Sequence, residues 1–190
     1  MRPTRRRALA LLAAAPLAAL PAGPAPAAEA EAIEARVGLA LERLYAEVPG
    51  ARDLADRARA MLIMPRVVKG GLILGGSYGE GALRLNEEGA GYGPTVAYYS
   101  VAAASLGLQA GVQETSHVLF FLTDPALDKF RRSDGWEIGA DAEITALDKA
   151  VNLGVDSTAF ETPVVAIVFG GSGLMLGASL EGAKYSRIER

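Results

Sequence analysis

The sequence predicts an α+β fold, in which a curved or barrel-like antiparallel sheet of several short strands has N-terminal and flanking helices. Between residues 31 and 60, apolar residues recur at helical spacing. From Met61 onward the pattern changes to short apolar runs separated by glycine, proline and polar turns, which is typical of antiparallel strands. Strands and helices do not alternate regularly, and this argues against a doubly wound parallel sheet.

The first thirty residues have the order of a secretory signal peptide. Four arginines precede an apolar run over residues 8–20, and small residues and prolines follow it. The run contains Pro16 and is shorter than the roughly 20 residues that a membrane-spanning helix needs. We therefore expect residues 1–30 to be removed by cleavage after Ala27 or after Ala30, because small residues at alternate positions precede both sites.

The export route stays open between two alternatives. Residues 4–9 resemble a twin-arginine signal, but no phenylalanine follows the arginines, so the general secretory route remains open as well. Either route places the mature protein in the periplasm or outside the cell.

Residues 31–60 predict a helical lead-in to the sheet. Its apolar residues at three- and four-residue steps are Ile33, Val37, Leu41, Leu44 and Val48. Proline and glycine at residues 49 and 50 end this helix, and residues 52–60 predict a second, shorter one. The apolar side would pack on the sheet or lie on a lipid surface. The acidic polar side favours packing, because membrane-surface helices usually carry lysine and arginine there.

The remainder, residues 61–190, is expected to be mainly β. The predicted strands cover residues 61–64, 71–75, 79–85, 95–103, 106–111, 117–122, 136–144, 164–169, 174–180 and 183–188. A short helix is expected from Asp124 to Arg132, with Asp124 as its cap and Pro125 in its first position. No break in composition divides the chain, so residues 31–190 predict a single domain.

Composition and charge exclude several classes of site and partner. Cysteine is absent, so disulfides, thiolate metal sites and a cysteine nucleophile are excluded. Removing residues 1–30 leaves 15 basic and 21 acidic residues, a net charge of −6. A uniformly basic surface for nucleic acid is therefore excluded, and affinity for anionic partners must come from a local patch. We expect no cofactor and no metal.

Ser77 lies in a G-x-S-x-G pattern, which is the nucleophile elbow of serine hydrolases. That elbow requires a helix after the serine, whereas the residues after Ser77 predict another strand. A serine esterase that uses Ser77 is therefore a distant alternative, and a tight hairpin turn flanked by Gly76 and Gly79 is favoured. We expect at least one of these two glycines to need a positive φ.

Two further features have a structural and a functional interpretation. The glycines that follow Lys69 match neither a Walker loop nor a dinucleotide fingerprint, so they predict turns and strand bends, with anion contact by Lys69 and Arg66 as the alternative. His117 is the only histidine and lies in a predicted strand. It is interpreted as a structural residue rather than a metal ligand or a base.

The chain from Met61 onward resembles the SYLF domain family, in its bacterial exported branch. The matching segments are residues 62–65 with 68–71, 75–81, 98–100, 104–113, 133–139, and 173–175 through 180–182. Each segment is mostly glycine and apolar residues, and their order and spacing carry the resemblance. The resemblance implies a lipid-binding module without enzymatic activity, since eukaryotic relatives bind phosphoinositides and in some cases actin. In those relatives a basic segment precedes the domain, whereas here that helix is acidic.

The property that the resemblance implies for this chain is therefore binding to an anionic lipid or membrane surface of the bacterial envelope. Two groups are the candidate contacts to phospholipid headgroups: Arg66 with Lys69, and Lys129, Arg131 and Arg132 with Phe130 and Trp136. We expect serine at Lys129, Arg131 and Arg132 to weaken vesicle binding by at least about tenfold. An envelope protein-interaction or structural module is the alternative function.

Overall fold

The structure is a computed structural model and describes residues 26–71, 74–87, 91–106, 111–141, 145–148, 161–170, 180 and 182–190. The helices are α1 (Pro26–Glu47), α2 (Ala51–Arg57) and α3 (Asp124–Arg132). The strands are β1 (Ala60–Gly71), β2 (Leu74–Glu87), β3 (Gly91–Leu106), β4 (Gly111–Phe121), β5 (Trp136–Glu137), β6 (Thr145–Asp148), β7 (Val164–Phe169) and β8 (Lys184–Ile188). No described helix is long and apolar enough to cross a membrane.

The described strands form one sheet in the order β5-β8-β3-β2-β1-β4-β7-β6. All neighbouring pairs are antiparallel except β6 with β7, which is parallel. The sheet is curled like half of a barrel, and the predicted α+β fold with a curved antiparallel sheet is confirmed.

Helices α1 and α2 cover one face of the sheet, here called the α1 face. Ile33, Val37 and Leu44 of α1 are at most 2% exposed and pack with Leu54 of α2. Burying an aliphatic side chain contributes about 1.5–3 kcal/mol, so this apolar side holds α1 on the sheet. The interpretation of residues 33–48 as a core-facing helix is confirmed, and a position on a lipid surface is excluded for this side of α1.

Helix α3 covers the opposite face, here called the α3 face. Leu127 and Phe130 of α3 pack against Leu62, Tyr99 and other residues whose side chains alternate with those of the α1 face. The helix begins where predicted, but its cap is Thr123, whose hydroxyl accepts a hydrogen bond from the Ala126 amide. The prediction of Asp124 as the cap was therefore off by one residue.

The strands are longer than predicted around the glycines. The predicted turn flanked by Gly76 and Gly79 is wrong, because both residues lie inside β2, paired with Gly70 and Val67 of β1. Neither has a positive φ. Gly79 is instead needed for close approach, since a Cβ there would lie 2.5 Å from the carbonyl oxygen of Arg66. A run of glycines looks like a turn in the sequence, whereas here it lets two strands approach each other closely.

Other strand predictions differ from the structure or fall outside the described residues. Strand β3 runs to Leu106 without the predicted break after Ala103. The predicted strand over residues 136–144 ends after Glu137, and β6 was not predicted. The predicted strand over residues 174–180 falls outside the described residues except for position 180. The predicted signal peptide falls outside them except for positions 26–30.

Candidate functional site

The aromatic residues of the predicted α3 site lie in the core. Phe130 and Trp136 are each 1% exposed, and their ring centroids are 5.4 Å apart in an edge-on contact. Tyr99 packs on Phe130, with the two ring centroids 4.7 Å apart. The expectation that Phe130 and Trp136 face a bilayer is corrected, because the rings could reach lipid only if the core on the α3 face opened.

The basic residues of the α3 site are exposed but share their surface with acidic groups. Nη2 of Arg132 lies 2.8 Å from Oδ2 of Asp128, and Nζ of Lys129 donates to the carbonyl oxygen of Asp141. A shallow groove here also includes Asp124. The α3 site is thus a mixed-charge surface rather than a compact basic patch.

Arg66 and Lys69 do not form a pair, because they lie three residues apart on β1 and side chains alternate between the two faces of a strand. A β-bulge before them decides which face each one takes. The pairing of β1 with β2 shifts between Ile63 and Arg66, and the pairing with β4 shifts at the same place. Met64 and Val67 therefore both lie on the α3 face. Side chains alternate along a strand, so Lys69 also lies on the α3 face and Arg66 on the α1 face.

On the α1 face, Arg66 meets a residue that the sequence analysis did not single out, Arg36 of α1. Both line a groove of about 600 Å³ between α1 and the β1–β2 hairpin, here called the α1 groove. Its other lining residues are Val68, Gly70, Gly76, Ser77, Tyr78, Gly79 and Glu80. The sequence shows Arg36 only as one cation on an acidic helix, and its place in the groove follows from the docking of α1 and the bulge.

Ion pairs and hydrogen bonds organise the charges of the α1 groove. Nε of Arg66 lies 2.8 Å from Oε2 of Glu114, with both side chains about half exposed. The hydroxyl of Tyr78 donates to Oε1 of Glu80 at 2.6 Å, and Arg190 also pairs with Glu80. Burial alone would raise the pKa of Glu80, but the hydrogen bonds from Arg190 and Tyr78 outweigh it and hold the pKa below its usual value. Glu80 is therefore ionised near neutral pH.

Exposed apolar side chains lie beside the α1 groove. Tyr78 is 53% exposed and Val112 is 80% exposed. Val112 pairs with Gly70, which lines the groove, and opposed residues share a face of the sheet. This end of the α1 face, with its arginines and two exposed apolar residues, is here called the uncovered end.

Ser77 and His117 are not brought together. Ser77 lies inside β2 and not between a strand and a helix. It pairs with Lys69, whose other partner, Gln113, is four residues from His117, a separation of about 13 Å along the strand. Nothing in this geometry supports a serine nucleophile with His117 as its base.

His117 is buried on the α3 face. One ring nitrogen, Nε2, lies 3.0 Å from Oγ1 of Thr115, and Nδ1 has no partner among the described residues. Burial lowers the pKa of His117 to about 4, so the imidazole is neutral at neutral pH. The described residues contain no group of three or more histidine, aspartate or glutamate side chains that could hold a metal ion.

Comparison with known proteins identifies a relationship in the C-terminal half. Residues 102–189 match the family model described as Ysc84: Las17-binding protein actin regulator. They include β4, α3, β7 and β8 and most of the buried residues of the α3 face. No curated protein matches the chain.

Proposed function

On the premise that residues 102–189 belong to the Ysc84 (SYLF) family, as the resemblance predicted, we propose that this protein is exported, non-enzymatic and binds a lipid or membrane surface. The family supports binding to lipid or to a protein partner. The choice of lipid rests on one observation, the uncovered end of the α1 face.

The uncovered end combines the two kinds of side chain that a membrane surface requires. Tyrosine is suited to the bilayer interface because its ring is apolar and its hydroxyl remains hydrated. Tyr78 and Val112 are exposed there, although most large apolar side chains elsewhere in the described residues are buried. Arg36 and Arg66 lie beside them, and each basic residue near an anionic surface contributes roughly 1 kcal/mol.

Net charge requires such a local arrangement. With a net charge of −6, residues 31–190 are repelled on average by an anionic bilayer. Binding therefore needs a face on which basic and apolar groups approach lipid while most carboxylates remain outside a Debye length of about 8 Å. Carboxylates accompany the basic residues at the uncovered end as well as at the α3 site. The uncovered end is favoured because its apolar side chains, Tyr78 and Val112, are exposed, whereas the rings of the α3 site are buried.

The proposal also includes two further statements, that the protein has no enzymatic role and that it is exported. The separation of Ser77 from His117 gives no support for an esterase, and a chromogenic ester assay with a Ser77→Ala control tests this directly. Export is supported by the order of charged, apolar and small residues in positions 1–30. The mature protein would then meet an envelope membrane from the periplasmic or outer side.

A protein-interaction module of the envelope is the second candidate. It is supported by the family description, which names a protein partner, and an exposed sheet surface could also bind a protein. The two candidates differ in one measurable property, because only lipid binding depends on the headgroup composition of protein-free vesicles.

Vesicle co-sedimentation tests the proposal. The purified protein is incubated with phosphatidylcholine vesicles that contain or lack phosphatidylglycerol. We expect a bound fraction that depends on composition, and a loss of about tenfold in affinity for Val112→Asp. Val96→Asp is the matched control, since Val96 is an exposed strand valine outside the uncovered end and the charge change is the same. Composition-independent binding, or an equal loss in both variants, would contradict the proposal and favour the protein-interaction module.

A further inference from the structure

We propose that the α1 groove binds the headgroup of one phospholipid molecule, with its phosphate between the guanidinium groups of Arg36 and Arg66. This deepens the proposed function, on which the choice of a lipid rests, and makes one claim beyond it. The contact would be a saturable site with one lipid per protein rather than only adsorption to a charged surface.

The first argument is the state of the two arginines. Arg36 is exposed and makes no hydrogen bond or ion pair with any part of the chain that the structure describes, although it attracts Glu80 at longer range. Arg66 pairs with Glu114 across two half-exposed side chains, and exposed pairs of this kind contribute only about 0–1 kcal/mol. Within the described chain, the donors of Arg36 therefore remain available, and Arg66 can exchange its partner at little cost.

The second argument is the match between guanidinium and phosphate. The planar fork of an arginine can donate two parallel hydrogen bonds to phosphate oxygens, and such charge-assisted bonds are roughly twice as strong as neutral ones. Two arginines that line one groove can hold one phosphate from two sides. The single carboxylate of Glu114 occupies only one of the arginines in this structure.

The third argument is the apolar wall of the same groove. Val68 and the ring of Tyr78 line it beside the arginines. The hydroxyl of Tyr78 is held by Glu80, which fixes the ring at the groove. The glycerol and first acyl carbons of a phospholipid would contact this wall, whereas inorganic phosphate has no group that could use it.

Substitution of Glu114 gives a specific test of the proposal. Its carboxylate pairs with Arg66 and would compete with phosphate for that guanidinium group, so Glu114→Gln removes the competitor and should strengthen binding. Glu42→Gln on α1 changes the net charge by the same amount, at an exposed residue that does not line the groove. A difference between these two variants separates direct competition from a general change in charge.

The test uses a short-chain phospholipid, dihexanoylphosphatidylglycerol, as a monomer below its micellar concentration. Isothermal titration calorimetry measures its binding to the purified protein and to the variants, and thermal melting checks that each variant is folded. We expect saturable binding of one lipid, a loss of at least about tenfold for Arg36→Gln and for Arg66→Gln, and a gain for Glu114→Gln but not for Glu42→Gln. Inorganic phosphate should bind much more weakly than the lipid.

Each other outcome is decisive. Vesicle binding by the parent without saturable short-chain binding overturns this inference and leaves the proposed function standing. Short-chain binding that is unchanged in both arginine variants places the lipid elsewhere and also overturns the inference. If inorganic phosphate binds as tightly as the lipid, the groove is an anion site without selectivity for lipid. Short-chain binding as expected, with no vesicle binding, supports the groove and overturns membrane association instead.

Discussion

Nη2 of Arg84 on β2 lies 2.6 Å from Oε2 of Glu34 on α1, and this ion pair joins the lead-in helix to the sheet. The hydroxyl of Tyr98 on β3 donates to the other carboxylate oxygen at 3.1 Å. Burial alone would raise the pKa of Glu34, but hydrogen bonds from neighbouring side chains, Arg84 and Tyr98 among them, hold the pKa below its usual value.

Removing the Glu34 carboxylate should therefore destabilise the protein. Glu34→Ala leaves Arg84 and Tyr98 partly buried without this acceptor, and we expect a loss of about 1–3 kcal/mol in the free energy of unfolding. Glu42→Ala, at an exposed position of the same helix, is the control and should change it by less than about 0.5 kcal/mol. Chemical denaturation measures both, and equal stabilities would show that the ion pair does not hold α1.

Two glycines of β2 should respond differently to alanine. A Cβ at Gly81 would collide with the carbonyl oxygen of Ile63 and lie 2.6 Å from Sδ of Met64. The nearest atom to a Cβ at Gly76, the carbonyl oxygen of Ala103, is 3.6 Å away, an ordinary contact. Gly81→Ala should cost at least about 1–3 kcal/mol, whereas Gly76→Ala should be nearly neutral. If Gly81→Ala and the parent have the same melting temperature, β1 and β2 can move apart at this position without cost, which would contradict the prediction.

Stability should fall with acidification because of His117. Its pKa is about 4 in the folded protein and near 6.5 in the unfolded chain, so the unfolded state binds the proton first as the pH falls. The loss begins below about pH 6.5, proceeds at up to about 1.4 kcal/mol per pH unit, and levels off below about pH 4.

His117→Gln should remove this slope between about pH 6.5 and pH 5. Protonation of Glu34 and Glu80 also destabilises the folded protein on acidification. That loss occurs only as the pH falls from their pKa values in the unfolded chain through their lowered pKa values in the folded protein. Urea denaturation at several pH values gives the slopes of parent and variant. Identical slopes would mean that His117 titrates in the folded protein as it does in the unfolded chain.

The α3 site should contribute less to lipid binding than the sequence suggested. The expected loss of at least tenfold for serine at Lys129, Arg131 and Arg132 assumed a compact basic patch with Phe130 and Trp136 at the bilayer. The two rings are buried, and Asp128 already neutralises Arg132, so we now expect a loss below about tenfold. Co-sedimentation of this triple variant beside Arg36→Gln ranks the two surfaces. A greater loss for the triple variant would restore α3 as the main contact.

The N-terminus of the exported protein should be Ala28 or Glu31. Intact-mass analysis of protein from the periplasmic or culture fraction distinguishes the two, and an intact Met1 there would contradict export with cleavage. Cleavage after Ala30 would also remove Glu29, whose Oε2 lies 3.5 Å from Nε of Arg190. The two products therefore differ in whether this contact to α1 can form.

Local pattern was sufficient for much of the fold. The spacing of Ile33, Val37 and Leu44 predicted α1 and its buried side, because helical periodicity marks the face that must leave water. The proline at position 125 and the charges after it located α3 to within one residue at its cap. The order of short glycine-bounded segments predicted the family that residues 102–189 match.

The sequence by itself determined the α+β class, the apolar side of α1 and the position of α3, since each depends on residues within a few positions of one another. Only the tertiary structure decided which cations meet. The bulge in β1 puts Arg66 on the α1 face, and the docking of α1 brings Arg36 to Arg66 from thirty positions earlier in the chain. Likewise, Phe130 and Trp136 look like surface anchors beside basic residues until packing with Tyr99 and Phe121 buries them. Faces, registers and burial depend on contacts distant in sequence, and the composition of a short segment does not record them.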